Sequence, residues 1–278
     1  MLPPIADRFI AGESLESVLE HSASLNREGV NAILNHLGEH YDRPEAAAAD
    51  RDTYLDLIDA IEDRRLDAVV SAKPSQLGLG IDEEEFRENL RAIVKRADAV
   101  DGFVWLDMED HTMTDATLDA FESFSTAYGG RVGVCVQSNL KRTREDLERL
   151  AECPGKVRLV KGAYDEPGSI AYTSRRAVND RYRGDLELAF RTFDTGVAVG
   201  THDPAMIDHA ISLHEEYGTP FEFQMLMGVR EGEQRRLAAE GYEVWQYVPF
   251  GPKWLSYFWR RIRERKENLL FALRAILG

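Results

Sequence analysis

Eight short β-rich runs recur along this chain, and the stretches between them are long and amphipathic enough to form helices. The runs fall at 30–37, 66–72, 103–106, 132–136, 157–160, 196–200, 221–226 and 243–248. Strands joined through helices run parallel, and eight such units closing on themselves make a TIM-type (β/α)8 barrel. Val132-Gly133-Val134-Cys135-Val136 and the run at 157–160 are mostly apolar, as expected of strands covered on both faces. Among the connecting segments, 82–96 begins with acids in its first turn. The segment 143–151 offers Thr143 as a cap ahead of Glu145 and Asp146. Asp101-Gly102 and Gly129-Gly130 mark turns, and 43–52, alanine-rich after Pro44, reads as a loop or a short helix. The 278 residues fit one barrel, with no internal boundary or low-complexity segment, so a single domain over 1–278 is expected.

The charge balance narrows the partners. Asp and Glu total 49 against 34 Lys and Arg, a net charge of -15, and only seven of the 34 are lysines, leaving 27 arginines. Acid-rich, lysine-poor composition suits a halophilic protein, because salt screens the self-repulsion of a strongly charged surface; an acidic protein from another habitat is the alternative. Nucleic acid is an unsuitable partner for such a chain. Cys135 and Cys153 are too few for a disulfide framework, and Cys135 sits in an apolar run where a buried thiol is usual. There is no basic segment followed by an apolar one at residues 1–12, and no run of 18 apolar residues, so a cytoplasmic protein is expected.

Functional groups of such barrels project from the C-terminal ends of the strands. Here those ends carry Glu39, Lys73, Asp107, Gln137, Lys161, Thr201 with His202, Gln224 and Tyr247. So many polar ends aimed at one mouth point to a substantial ligand. Lys73 and Lys161 are retained where arginine is otherwise preferred; each could pair with a carboxylate or phosphate, serve as a Schiff-base nucleophile, or merely snorkel from a strand end. Asp107 could hold a cation, act as a base, ligate a metal, or cap a following helix. His36-Leu37-Gly38-Glu39-His40 has the H-x-x-E-H spacing of a zinc peptidase, but that motif needs a helix and this one ends a strand. His202 reads as a cofactor contact, and His209 and His214 read as surface positions on a helix. Neither a dinucleotide fingerprint, a P-loop nor a nucleophile elbow is present. Lys161-Gly162-Ala163-Tyr164 puts small residues after a strand, where a flat or phosphorylated ligand can approach the backbone. Near the C-terminus, Tyr257, Arg260, Arg261 and Glu264 fall within about 100° of one helix face. Two arginine forks there suit a small carboxylate, although a solvated basic face has the same pattern.

Taken together, Ser71-Ala72-Lys73-Pro74, Leu106-Asp107-Met108-Glu109, Val136-Gln137, Val157-Arg158-Leu159-Val160-Lys161-Gly162-Ala163-Tyr164, Thr201-His202, Phe223-Gln224-Met225-Leu226 and the Tyr-Arg-Arg-Glu helix resemble the proline dehydrogenase family. Their order and spacing match its monofunctional members over nearly the whole chain, although Arg265 stands where many bifunctional members carry asparagine.

The resemblance implies a distorted barrel whose last helix lies over the C-terminal mouth, with FAD at the strand ends. It implies oxidation of L-proline to Δ1-pyrroline-5-carboxylate, with hydride passing from C5 to flavin N5 and electrons then to a quinone. Lys73, Arg260 and Arg261 would bind the proline carboxylate, Asp107 would orient and compensate the arginines, and Tyr247, Tyr257 and Leu226 would enclose the ring. Arg158 would lie near flavin N5, with Met108, Gln137, Lys161, Gly162, Ala163, Thr201, His202 and Gln224 along the cofactor. Tyr164, and Thr173 with Arg175, are adenine-side candidates; Glu264 joins the cofactor set and pairs with a neighbouring basic residue. The apolar tail at 269–273 and 276–277 could make peripheral membrane contact or pack on its own barrel. Hydroxyproline dehydrogenase is the alternative activity on this scaffold, with Tyr257 favouring proline; a Schiff-base lyase using Lys161 or Lys73 is a further one.

Overall fold

The computed structural model describes residues 8–255, which form a closed barrel of eight parallel strands in sequential order. The strands are β1 (Asn31–His36), β2 (Ala68–Ala72), β3 (Val104–Leu106), β4 (Val132–Gln137), β5 (Lys156–Val160), β6 (Val197–Gly200), β7 (Phe221–Leu226) and β8 (Val244–Phe250). Each coincides with one of the eight runs to within two residues. β8 pairs with β1 from Asn31 opposite Trp245 to His36 opposite Phe250, which closes the ring.

Helix α1 (Leu15–Arg27) precedes the first strand, and α2 (Pro44–Arg64), α3 (Glu83–Asp98), α4 (Thr114–Ala127), α5 (Thr143–Leu150), α6 (Arg175–Thr192), α7 (Pro204–Tyr217) and α8 (Glu231–Ala239) make the crossovers. The segment at 43–52 is neither loop nor short helix but the start of the 21-residue α2, with Pro44 in its first turn, where its missing N–H is not needed. Asp82 caps α3 by accepting from the backbone N–H of Glu84 and Glu85, and three acids follow at its positive end. Thr143 does not cap α5. Arg142 holds that position without a side-chain bond, and the Thr143 hydroxyl instead donates to the carbonyl of Gln137 at 2.5 Å, closing the turn after β4.

One apolar core lies between the strands and the helices, from Val18 and Tyr54 round to Phe190 and Leu237. A second, smaller cluster fills the barrel itself: Ile33, Trp105 and Ala198, with Val69, Phe103, Trp245 and Tyr247 packed against it. Trp105 fits because Gly133 stands opposite; a Cβ at that glycine would fall 2.5 Å from the indole ring. Among the described residues no helix is long and apolar enough to cross a membrane. Tyr257, Arg260, Arg261, Glu264, the expected last helix and the apolar tail all lie outside the described residues.

Candidate active site

Side chains two apart on a strand share a face, so β5 and β7 each deliver a column into the barrel. Arg158 and Val160 from β5, and Gln224 and Leu226 from β7, line a cleft at the C-terminal mouth. Lys73, Asp107, Met108 and Gln137 come in from the ends of β2, β3 and β4, and Tyr247 from β8. Lys161, Gly162, Ala163 and Tyr164 form one wall and His202 another, around about 1040 Å³ of empty space counted to the open mouth.

The floor of the cleft is an ion pair. Arg158 is 5% exposed, and its guanidinium lies 2.7 Å from Asp107 Oδ1. Asp107 is saturated from three sides: Ser71 Oγ donates to Oδ1 at 2.7 Å, Arg158 to the same oxygen, and the Tyr247 hydroxyl to Oδ2 at 2.6 Å. Arg158 also lies 4.9 Å from the centre of the Trp105 ring and 5.7 Å from that of Tyr247, between two π faces. Burial works against the Arg158 charge, but Asp107, with smaller help from its other neighbours, outweighs it and holds the guanidinium above its ordinary range. Cys135, across from Arg158 on the neighbouring strand, is a neutral thiol pushed up by burial.

Lys73 is buried, its ammonium 3.1 Å from Asn35 Oδ1, and Asn35 is oriented by donating to the carbonyl of Ser71 at 2.8 Å. At the outer edge Lys161 pairs with Asp203 at 2.8 Å. Burial raises the Asp203 carboxyl less than Lys161, the Ala205 N–H and Arg175 lower it, which places Arg175 in that charge cluster. Gln137 is fixed at both ends, donating to the carbonyl of Glu109 and accepting from the N–H of Ala163. His202 Nε2 accepts from the backbone N–H of Leu226 at 2.8 Å, so that nitrogen carries no proton.

Thr201 is buried behind His202, where its hydroxyl accepts from the N–H of Asp203; it does not line the cleft. Thr173 does not line it either. Glu39 comes close to His40 and Glu109, with one ligand atom from each lying within 4.8 Å of the others. Glu109 accepts there from both the N–H and the hydroxyl of Ser75. His36 belongs to another cluster, beside Asp50, and the segment between the two histidines is not helical, so no zinc-peptidase geometry forms. His209 and His214 are half-buried, not surface positions: His214 Nδ1 bonds the Thr219 carbonyl and its ring packs on Phe221. Asn35, Ser71, Trp105, Cys135, Gly200 and Met225 also belong to the site or its floor; Ser71, Trp105, Cys135 and Gly200 stand two residues before a polar strand end, on the same face, whereas Asn35 and Met225 have no such spacing.

The cleft can hold the group that the resemblance implies. Arg158 Nε and Gln224 Oε1 are buried without a hydrogen-bond partner in a wall otherwise well satisfied. Gly162, at φ +111°, brings bare backbone to the cleft, and a Cβ there would meet Asn139 Oδ1 at 2.1 Å.

A parallel (β/α)8 barrel with a buried arginine–carboxylate pair at the C-terminal mouth of its strands is a barrel of the enzyme class. Residues 18–274 match the sequence profile of the family described as proline dehydrogenase. The chain is 39% identical over 282 residues to "Proline dehydrogenase" of Deinococcus radiodurans, covering 98% of this chain and 90% of that protein. It is 35% identical over 275 residues to "Proline dehydrogenase 1" of Bacillus subtilis, with the same two coverages. The chain belongs to the proline dehydrogenase family. Its fold is similar to that of proline utilization A from Bdellovibrio bacteriovorus inactivated by N-propargylglycine, with a TM-score of 0.87 at 22% identity. That likeness covers 94% of this chain but only 32% of the other, so the chain spans about a third of that longer protein.

Proposed function

We propose that this chain oxidises L-proline to Δ1-pyrroline-5-carboxylate with FAD as its cofactor and a quinone as the eventual acceptor. The observation that carries the reading is the Arg158–Asp107 pair on the floor of a cleft large enough for a flat cofactor, in a chain of this family. When bound, FAD supplies the two-electron acceptor that the side chains lack. Gln137, Lys161, Gly162, Ala163, His202 and Gln224 would hold it, with Met108 and Tyr164 at its edges. Lys161 and Arg175 would face its phosphates.

The chain's own part is binding and charge. Lys73 offers a buried ammonium to the substrate carboxylate, with Arg260 and Arg261 as its expected partners. Tyr247 and Leu226 give the ring an apolar and aromatic wall. Asp107 neutralises Arg158 and ties Tyr247 to the same spot, so that the cation, the aromatic face and the floor stay in fixed relation. Loss of hydride from C5 requires a neutral ring nitrogen, and the cations Arg158 and Lys73 disfavour the ammonium form. Lys161 is held by Asp203 and Lys73 by Asn35, so both nitrogens already serve as charge-bearing donors in the wall, an arrangement that supports ligand binding over a Schiff-base lyase.

The test is to mix the purified yellow protein anaerobically with L-proline, in high salt, and follow the flavin band at about 450 nm. Bleaching is expected. A flavin that stays oxidised with proline but bleaches with hydroxyproline redirects the assignment to the hydroxylated ring, and a protein that takes up no FAD overturns it.

A further inference from the structure

Below the Arg158 layer, the barrel holds a second charged pair that the proposed reaction does not use. Lys156 on β5 and Glu222 on β7 face each other there, ammonium to Oε2, with Glu222 3% exposed. The other oxygen, Oε1, accepts from Nε2 of Gln224 at 2.6 Å. Burial pushes the Glu222 carboxyl up while Lys156 and the Gln224 amide pull it down, and with a donor on each of its oxygens the geometry is that of Lys156 ammonium against Glu222 carboxylate. Glu222 therefore dictates which end of the Gln224 amide faces down. Turning that amide over would set its carbonyl oxygen against a carboxylate oxygen.

The consequence lies one layer up, where Gln224 lines the cleft. Of the five buried glutamines, Gln76, Gln137, Gln234 and Gln246 have both the amide nitrogen and the carbonyl oxygen paired. Gln224 is the exception among the described residues: its nitrogen is taken by Glu222 and its buried Oε1 has no partner. An amide oxygen left unpaired inside a low-dielectric wall is costly unless a ligand completes it.

Resting on the functional reading above, we propose that Glu222, held by Lys156, is a positioning residue that presents the Gln224 carbonyl as a fixed acceptor for an N–H of the bound flavin ring. Glu222 touches neither cofactor nor substrate in this arrangement. It acts through the orientation of one amide.

The experiment titrates apoprotein with FAD, following quenching of flavin fluorescence, in Glu222→Leu, Gln224→Leu and the double variant. Glu222→Leu is expected to weaken FAD roughly tenfold, Gln224→Leu by a similar factor, and the double variant by no more than either. Because Glu222→Leu strands a half-buried lysine, Lys156→Met/Glu222→Leu is the companion, replacing the whole ion pair by apolar residues, a change that cores tolerate. It should bind FAD as weakly as Gln224→Leu while keeping the thermal midpoint of the wild-type apoprotein. In ¹⁵N-glutamine-labelled apoprotein, the Gln224 side-chain signal, assigned by its loss in Gln224→Leu, should shift when Glu222 is replaced. Wild-type FAD affinity in both Glu222 variants, or losses that multiply in the Glu222→Leu/Gln224→Leu protein, overturns the inference alone. A wild-type protein that takes up no FAD overturns the functional reading beneath it.

Discussion

The Arg158 guanidinium, from the middle of β5, and the Asp107 carboxylate, from the residue that follows β3, meet at 2.7 Å on the floor of the cleft. Burial makes the two charges interdependent, because neither has water to replace the other. Asp107→Ala leaves Arg158 enclosed with a serine hydroxyl, the Cys135 thiol and two rings around it, and no carboxylate. The expected cost is about 3 kcal/mol of folding stability, measured as a lowered urea midpoint with an unchanged slope. Asp107→Asn, which keeps the acceptor and loses the charge, should cost less. A loss below about 0.5 kcal/mol in the alanine variant would mean that the pair is solvated.

Arg158→Met separates binding from reaction. The chain's other cleft contacts remain, so FAD affinity should fall less than tenfold. Anaerobic flavin reduction by proline should slow by about 10² or more, the scale of removing one preorganised charge from a site where charge develops. Stopped-flow reduction against equilibrium FAD titration makes the comparison. Equal losses in both would assign Arg158 to holding the cofactor.

Lys73→Met removes the buried ammonium beside Asn35 while leaving the cofactor wall intact. The proline KM should rise ten- to a hundredfold, as for loss of one charge-assisted contact of about 1.5–3 kcal/mol. FAD affinity should stay within a factor of about two of the wild type. An unchanged KM would remove Lys73 from the substrate site.

Gly162→Ala tests the bare backbone of the cleft. At φ +111° an alanine is strained, and its Cβ would meet Asn139 Oδ1 at 2.1 Å. The variant should bind FAD at least tenfold more weakly and melt lower. Gly162→Ala/Asn139→Ala, which removes the clash but not the strain, should recover part of the stability. No recovery would show that strain alone sets the cost.

The barrel was legible because each strand announces itself by an apolar run bounded by turns, and the closure follows from counting eight. Apart from Glu39 and Thr201, which do not line the cleft, the polar strand ends were legible for the same reason: a barrel aims them at one mouth. Asn35 and Ser71 were not, since an asparagine or serine inside an apolar strand has no signature of its own. Only Ser71, two residues before Lys73 on the same face, carries a hint in its spacing. The long α2 was underread because its alanines give little amphipathic contrast, and Pro44 looks like a breaker when it is in fact a start. Thr143 was misread because its hydroxyl is drawn to a strand carbonyl, a tertiary contact that overrides the local capping pattern.

Acid stability should depend on Asp50, which lies under the β1–α2 loop and is 7% exposed. It accepts from the Tyr41 hydroxyl at 2.5 Å and from Gln76 Nε2 at 2.7 Å, with His36 Nδ1 3.5 Å away. Burial by itself raises the Asp50 carboxyl, but these neighbours overcome it and hold the group below its ordinary value. An acid depressed in the native state binds its proton less readily folded than unfolded. Its contribution is therefore fully present above the unfolded value of about 3.9 and is lost as pH falls through the lower folded value. Asp50→Asn should destabilise the protein by about 1–2 kcal/mol at pH 7. The gap between variant and wild type should narrow as pH drops below about 4. Denaturation midpoints for the two proteins between pH 7 and pH 3 give the answer: a gap that stays constant across that range would mean that Asp50 stabilises by packing and hydrogen bonding alone, with no part played by its charge.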